Sequence, residues 1–272
     1  MNGIFPADLA VYLILFPVIS YIFITHRWTG FLPWYYLSVF CVARIIGGAL
    51  GVHDRNSLAA NIIQSVGISP LLLSVDGLIH EACVKYAISL LVCPFAASRT
   101  PATNNIHSCF NSRVYRYPSK NDLLGWSVIV GSTATMATAV SLSVVGALNI
   151  YEGHVKPDSY ALWKAGSALI VVLWAFQVFW SLFSLRSGKD ATHDQAYQSS
   201  TALLQGAFIA LLFIGIRVIY TLVAVCTQKK DLSPIDGSIA VRVVLMFLPE
   251  VLATLTLILV GLRTRHLRDL KV

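Results

Sequence analysis

Long apolar stretches separated by short polar ones dominate the chain. A helix that crosses the ~30 Å hydrocarbon core of a bilayer needs about 20 apolar residues, and seven segments meet or approach that length. None shows the strict period-2 alternation that indicates barrel strands. The pattern predicts an all-α, polytopic membrane protein that forms a single domain over residues 1–272, with spans at about 9–25, 34–51, 58–79, 123–148, 160–185, 201–226 and 239–262.

The composition agrees with this prediction. Hydrophobic residues make up 56% of the chain and charged residues 12%, and the mean hydropathy is +0.70. Soluble domains carry about 25% charged residues, so this chain has too little polar surface for a water-soluble particle. The formal charge of +7 resides mainly in loops on one side of the predicted spans. We therefore expect the lipid bilayer as a partner and no nucleic acid.

The distribution of basic residues predicts the orientation. Cytoplasmic loops of membrane proteins carry an excess of Lys and Arg. If the N-terminus is outside, twelve of the 20 basic residues fall on the inner side and four on the outer side. The N-terminus is therefore predicted to be outside or lumenal and the C-terminus cytoplasmic, in the endoplasmic reticulum or the plasma membrane.

The connection between the third and fourth predicted spans is unlike the others. Tyr86–Ala97 is apolar but too short to span, and Ser98–Ser112 is polar and aperiodic. Two interpretations of Val84–Arg116 remain open: an interfacial or re-entrant cytoplasmic segment, or an untranslated insert retained in frame.

Polar side chains within the spans are the candidate functional residues. An ionisable group inside a membrane costs at least ~2.5–3.5 kcal/mol on insertion scales, so each one is expected to have a structural or functional role that offsets this cost. Under the predicted topology these groups concentrate in the outer half of the bilayer, on spans two, three, five, six and seven. They are Arg44, Asn61, Gln64, Ser65, Lys164, Arg217, Tyr220, Arg242 and Glu250.

Two interpretations of this cluster are possible. In the functional one, the five spans enclose a polar cavity open to the outer face, with Glu250 as its only deep carboxylate and Arg44 and Arg217 as partners. In the other, the three residues form a buried ion network that only locks the helices together. Pro249 removes a backbone donor beside Glu250 and is expected to kink the seventh span.

As an enzyme, the chain would use Glu250, Tyr220 and Arg217 as catalytic residues. Glu250 would be the general acid, and Tyr220 would donate or relay a proton. If both arginines contact Glu250, the carboxylate stays ionised and serves as a base or a carbocation stabiliser instead. The remaining polar groups would bind substrate: Arg44, Asn61, Gln64, Lys164 and Arg242.

Other chemistry has little support in the sequence. The five cysteines lack CxxC spacing and there is no Cys/His cluster with metal-ligand spacing, so we expect no metal and no cofactor. Asp76 lies towards the inner end of the third span, where the sequence predicts a solvated position. Pro70 is expected to kink the same span.

Several short stretches of the chain recur together in one group of membrane proteins. They are Trp34-Tyr-Tyr-Leu, Arg44-Ile-Ile-Gly-Gly, Ser65-Val-Gly-Ile-Ser-Pro70-Leu-Leu-Leu, Lys164-Ala-Gly166, Arg217-Val-Ile-Tyr220, Leu248-Pro-Glu250 and Val260-Gly261. With these stretches the chain resembles a fungal family of seven-span integral membrane proteins that is mostly uncharacterised. The motif residues of that family are matched by Arg44, Arg217, Tyr220, Pro249 and Glu250. The resemblance covers most of the chain and fails across Val84–Arg116.

Three functions follow as hypotheses. In size and span number the chain is similar to the membrane-bound terpene cyclases of fungal meroterpenoid pathways, which implies a cyclase or isomerase of a lipophilic, prenylated substrate in secondary metabolism. The second hypothesis is a sensor or receptor for a small ligand at the outer face. The third is a transporter of an anionic solute, because Arg44, Lys164, Arg217 and Arg242 outnumber Glu250.

Overall fold

A computed structural model describes residues 4–26, 31–54, 57–96, 120–151, 157–187, 195–228 and 238–269. In these ranges the chain is helical and contains no strand, and seven helices are long and apolar enough to cross a membrane. The all-α, seven-span prediction is confirmed. The elements are α1 (Ile4–His26), α2 (Phe31–His53), α3 (Leu58–Val66), α4 (Ile68–Ala96), α5 (Lys120–Tyr151), α6 (Pro157–Ser187), α7 (Gln195–Thr227), α8 (Ile239–Arg242), a π-helical turn (Val243–Phe247) and α9 (Leu248–Asp269).

The third span, built from α3 and α4, is the central helix of the bundle. Of its most apolar stretch 72% is buried, whereas the corresponding value for α6 is 17%. Helix α4 packs against α2, α5, α6 and α7, while α1 packs against α2, and α9 packs against α7 and α1. The spans alternate in direction. The first residues of α1 and α3 and the last residues of α2 and α7 therefore lie at the same face of the bundle, which we call the N-terminal end.

The third span is interrupted at Gly67, three residues before the expected kink at Pro70. Proline has no N–H and cannot donate to the carbonyl four residues earlier, which here belongs to Val66. The Ser69 hydroxyl donates to that Val66 carbonyl instead, at 2.7 Å. The carbonyl is therefore satisfied, and the chain resumes as α4.

The seventh span is irregular where the sequence places Pro249. A π-helical turn, Val243–Phe247, separates the short α8 from α9, and the Leu248 N–H donates to the Val243 carbonyl. Pro249 cannot supply the α-helical bond to the carbonyl of Leu245, so a wider turn precedes it. Single π-turns inside helices are frequent at functional sites.

Two helix boundaries differ from the sequence prediction in ways that matter for the site. Helix α1 begins at Ile4 rather than near Leu9, which brings Asp8 into the first span. Helix α4 continues without interruption to Ala96. The apolar part of the unusual connection, as far as Ala96, is therefore continuous with the helix of the third span, and residues 97–119 lie outside the described ranges.

Candidate functional site

Glu250 is held by two arginines from two other spans. The Oε1 atom of Glu250 accepts a hydrogen bond from Arg217 Nε at 3.0 Å and another from Arg44 Nη2. The three side chains are 1–2% exposed. The predicted convergence of α2, α7 and α9 on one carboxylate is therefore present.

Asp8 is a second carboxylate that the sequence analysis missed. Its Oδ2 atom accepts a hydrogen bond from Gln64 Nε2 at 2.5 Å and lies 3.7 Å from Arg44 Nη1. Gln64 also accepts a hydrogen bond from Arg44 through its Oε1 atom. We call Asp8, Arg44, Gln64, Arg217 and Glu250 the ion cluster. It joins α1, α2, α3, α7 and α9.

The surroundings of Arg44 fix its position. Its guanidinium lies over the ring of Phe40, with 5.3 Å between Cζ and the ring centroid. A Cβ at Gly67 would lie 3.1 Å from Arg44 Nε, so the backbone at the break between α3 and α4 passes directly beside this side chain. The absence of a side chain at Gly67 leaves room for the guanidinium.

The void that adjoins the ion cluster among the described residues is small. A void of about 10 Å³ is lined by Asp8, Arg44, Gln64, Arg242, Met246, Phe247 and Glu250. That volume is about the minimum for one water molecule. In the described part of the chain, the void beside Glu250 is therefore too small for the expected substrate, and this geometry agrees with the alternative interpretation of a buried ion network.

A larger cavity lies on the other side of Arg217, and we call it the bundle cavity. Its volume is about 60 Å³. The cavity differs from the prediction, because α5 of the fourth span supplies part of its wall, and α2 and the seventh span supply none. Its lining residues are Leu58, Asn61, Ile62, Ser65, Val66, Ile68, Ser69, Val140, Ser143, Val144, Ala147, Trp163, Ser167, Ile170, Val218 and Thr221.

Thr221 connects the bundle cavity to the ion cluster. Its hydroxyl oxygen accepts a hydrogen bond from Arg217 Nη1 at 3.1 Å and donates to the Arg217 carbonyl at 2.9 Å. The same residue lines the cavity. Any molecule that contacts Thr221 therefore lies one side chain away from the arginine that holds Glu250.

The predicted site residues separate into three groups. Arg44, Gln64, Arg217 and Glu250 belong to the ion cluster, and Asn61 lines the bundle cavity. Arg242 is buried and lines the small void, and Tyr220 is buried one turn after Arg217 on α7. Lys164 is partly exposed on α6 and lines neither space.

The charge of the cluster also differs from the expectation. With Asp8 added and Lys164 outside, the ion cluster contains two arginines and two carboxylates, and Arg242 beside the small void adds a third arginine. The excess of positive charge is smaller than the sequence implied. In the described ranges, no three His, Cys, Asp or Glu side chains come together in a way that could hold a metal ion.

Together these features define an integral membrane protein with seven spans, a buried ion cluster and an adjoining cavity. The chain belongs to the family of the domain of unknown function DUF7702, whose model matches residues 1–89 and 110–267. The internal gap in this match, residues 90–109, lies within Val84–Arg116. No curated protein and no solved structure matches the chain.

Proposed function

We propose that the protein is a seven-helix membrane sensor for a neutral, lipophilic small molecule that binds in the bundle cavity. The observation that carries this proposal is the chemistry of the cavity wall. Its polar groups are one amide, several hydroxyls and the indole of Trp163, with Asn61, Ser65 and Thr221 among them, and the other lining side chains are apolar. Pockets of this kind bind ligands by apolar contact and use a few polar groups to fix their orientation.

Asn61 is the group best placed to recognise a polar atom of the ligand. It is 9% exposed, and its side-chain amide makes no hydrogen bond to the described part of the chain. A polar group in a mostly apolar cavity gains from a hydrogen-bond partner, so a ligand hydroxyl or carbonyl that bonds to this amide gains affinity. The amide supplies both a donor and an acceptor.

An apolar groove beside the cavity suits the hydrocarbon part of such a ligand. The groove, of about 530 Å³, is bordered by α2, α3, α4 and α5, and it shares five lining residues with the bundle cavity: Ile62, Val66, Ser69, Val140 and Val144. These helices belong to membrane spans, and Val39 in the lining is exposed on the surface of the bundle, so we infer that the groove opens towards lipid. An amphiphile would place its polar group against Asn61 and its tail in the groove.

Binding of a ligand in the bundle cavity can affect the rest of the bundle through Thr221 and the ion cluster. A ligand that displaces Thr221 changes the hydrogen bond to Arg217, and Arg217 is one of the two partners of Glu250. Glu250 lies directly after the π-turn and Pro249. The ion cluster joins five helices and lies next to the break at Gly67 and the π-helical turn. A ligand can shift the equilibrium between two arrangements of such a network.

The geometry favours a sensor over an acid-catalysed cyclase. Both arginines contact Glu250, which is the condition under which we expected its carboxylate to stay ionised and unable to donate a proton. The bundle cavity, in turn, contains no carboxyl, histidine or tyrosine side chain among its lining residues. Anion transport is less favoured, because Asp8 offsets part of the positive charge.

Photoaffinity labelling in membranes tests the proposal. The probe is a C15 isoprenoid alcohol that carries a diazirine and an alkyne, and labelled peptides are mapped by mass spectrometry. We expect labelling in α3, α5 and α6 that excess unlabelled alcohol prevents. Ala147→Trp fills the cavity and should abolish it, whereas Ala137→Trp places the same side chain on the exposed face of α5 and should not.

Two further measurements separate the alternatives. Asn61→Leu should weaken labelling by about tenfold, because one hydrogen bond is worth about 1–1.5 kcal/mol. The alcohol should be recovered chemically unchanged, and a cyclised or isomerised product would restore the cyclase hypothesis. Equal labelling of wild type and Ala147→Trp would contradict the proposed binding site.

A further inference from the structure

A second buried carboxyl group lies in the half of the bundle away from the ion cluster. Asp76, on α4 of the third span, is 7% exposed, and its Oδ2 atom accepts a hydrogen bond from Ser132 Oγ at 2.5 Å. Ser132, on α5, is also buried and contacts the Ile129 carbonyl. The solvated position that the sequence predicted for Asp76 is therefore wrong, because α5 covers it.

Asp76 differs from Glu250 and Asp8 in having no cation beside it. Within the described residues it makes no ion pair. On the same helix, His80, Glu81 and Cys83 follow one to two turns later, and Tyr35 and Tyr36 are the titratable side chains in the adjacent part of α2. The described parts of α5, α6 and α7 at this level carry no charged side chain.

The helix opposite Asp76 adds polar groups that are also short of partners. Gln177 of α6 donates to the carbonyl of Leu72, one turn before Asp76 on α4, at 3.4 Å. The Gln177 Oε1 atom and the hydroxyl of Ser181 are buried without a hydrogen bond in the described structure. Among the described residues near Asp76, these side chains supply neutral hydrogen-bonding groups and no ion pair.

We propose that Asp76 and Ser132 form a proton-binding site within the membrane, in which Asp76 is held as a neutral carboxylic acid. An ionised carboxylate in an apolar interior needs a cation or several donors, and a group that lacks them binds a proton instead. The Oδ2 atom accepts the Ser132 hydroxyl, and Oδ1 carries the proton. Release of this proton leaves a buried carboxylate, so it requires α4 and α5 to separate and admit water.

This proposal is independent of the proposed ligand site. It assigns a transferable proton to the third span, away from the ion cluster. A movement of α5 relative to α4 would both open the bundle cavity, which α5 lines, and expose Asp76. Proton binding would then be coupled to the same helix movement as ligand binding.

Infrared spectroscopy of the full-length protein in lipid nanodiscs tests the proposal. A protonated carboxyl group has a carbonyl stretch above the amide I band, and this stretch moves to lower frequency in D₂O. We expect such a band at neutral pH in the wild type and its loss in Asp76→Asn. Asp158→Asn, which changes an exposed carboxylate at the start of α6, should leave the band unchanged.

A second variant keeps the test decisive if Asp76→Asn does not fold. Ser132→Ala removes the hydroxyl that donates to Asp76, so the band should persist and move to higher frequency. The proposal is overturned if wild type and Asp76→Asn have superimposable carbonyl regions, or if the band in Ser132→Ala has the wild-type frequency. Because no ligand is added, either result leaves the photoaffinity experiment unaffected.

Discussion

Replacement of Glu250 by glutamine is the perturbation whose effect the structure defines best. The substitution keeps the shape of the side chain but removes the charge that pairs with Arg44 and Arg217. Both arginines are 2% exposed, and after the change Asp8 remains as the one carboxylate of the ion cluster, 3.7 Å from Arg44. Arg217 retains the neutral hydroxyl of Thr221.

The expected loss follows from this arrangement. Removing one partner of a buried ion pair costs about 3–5 kcal/mol, because the other charge is left buried without compensation. We expect Glu250→Gln to lose about that much free energy of unfolding. The double variant Arg217→Gln/Glu250→Gln should lose less than the sum of the two single variants, since it restores the balance between Arg44 and Asp8.

Reversible unfolding in bicelles, followed by steric trapping, measures these differences. Thr254→Val is the control, because Thr254 is buried one turn after Glu250 and its hydroxyl bonds only to the Glu250 carbonyl, at 2.8 Å. It should lose about 1 kcal/mol or less. The reasoning is refuted if Glu250→Gln unfolds within about 0.5 kcal/mol of the wild type. A stable variant that lost a catalysed reaction would instead return Glu250 to a catalytic role.

Two other predictions concern packing and orientation. Gly261→Ala should lose about 1–3 kcal/mol in the same unfolding assay, because its new methyl group would overlap the buried ring of Trp34. Gly131→Ala, where no atom lies within 4 Å of the added carbon, should be neutral or gain up to about 1 kcal/mol, and an equal loss at both positions would contradict this explanation. An epitope at the N-terminus should be protected from protease in sealed, cytoplasm-out vesicles, whereas an epitope at the C-terminus should be cleaved; the reverse pattern would exclude the predicted orientation.

The spans and the arginine–glutamate contacts could be predicted because they depend on the length of the apolar runs and on the position of each charge along them. Each span is a long apolar run, and alternation of direction fixes which helix ends share a side of the membrane. Arg44, Arg217 and Glu250 therefore had to lie at similar depth. Their burial against one another followed, since a charge in the hydrocarbon region needs a partner.

The sequence analysis missed Asp8 for a specific reason. Hydropathy placed the start of the first span at Leu9, one residue later, so this carboxylate fell just outside the predicted span. Ile4 and Phe5 precede it and are apolar, and both are helical in the structure. Those two residues were the available signal that the helix, and hence the span, begins earlier.

The position of the cavity could not be predicted from polar residues alone. Its fourth-span wall consists of Val140, Ser143, Val144 and Ala147, which are residue types that any packed membrane helix contains. Which face of α5 points inward depends on how α5 packs against α6 and α4. This packing is determined by the shapes of the side chains in three dimensions, and no charge or motif in the sequence indicates it.

The contacts divide the bundle into two groups of helices with the proposed sites between them. The ion cluster joins α1, α2, α3, α7 and α9. Helices α5 and α6 pack closely on each other, since a Cβ at Gly146 would lie 2.7 Å from the backbone nitrogen of Trp163, and one at Gly166 would lie 2.6 Å from the backbone oxygen of Ala139. No residue of these two helices belongs to the ion cluster.

Both proposed sites lie where the two groups meet. The bundle cavity is lined by α3, α4 and α7 on one side and by α5 and α6 on the other. The contact between Asp76 and Ser132 also joins the central α4 to α5. A movement of the α5–α6 pair against helices held by the ion cluster would therefore change both sites together. In this arrangement the ion cluster holds its five helices in place, and binding of a ligand or release of a proton would move α5 and α6 relative to them.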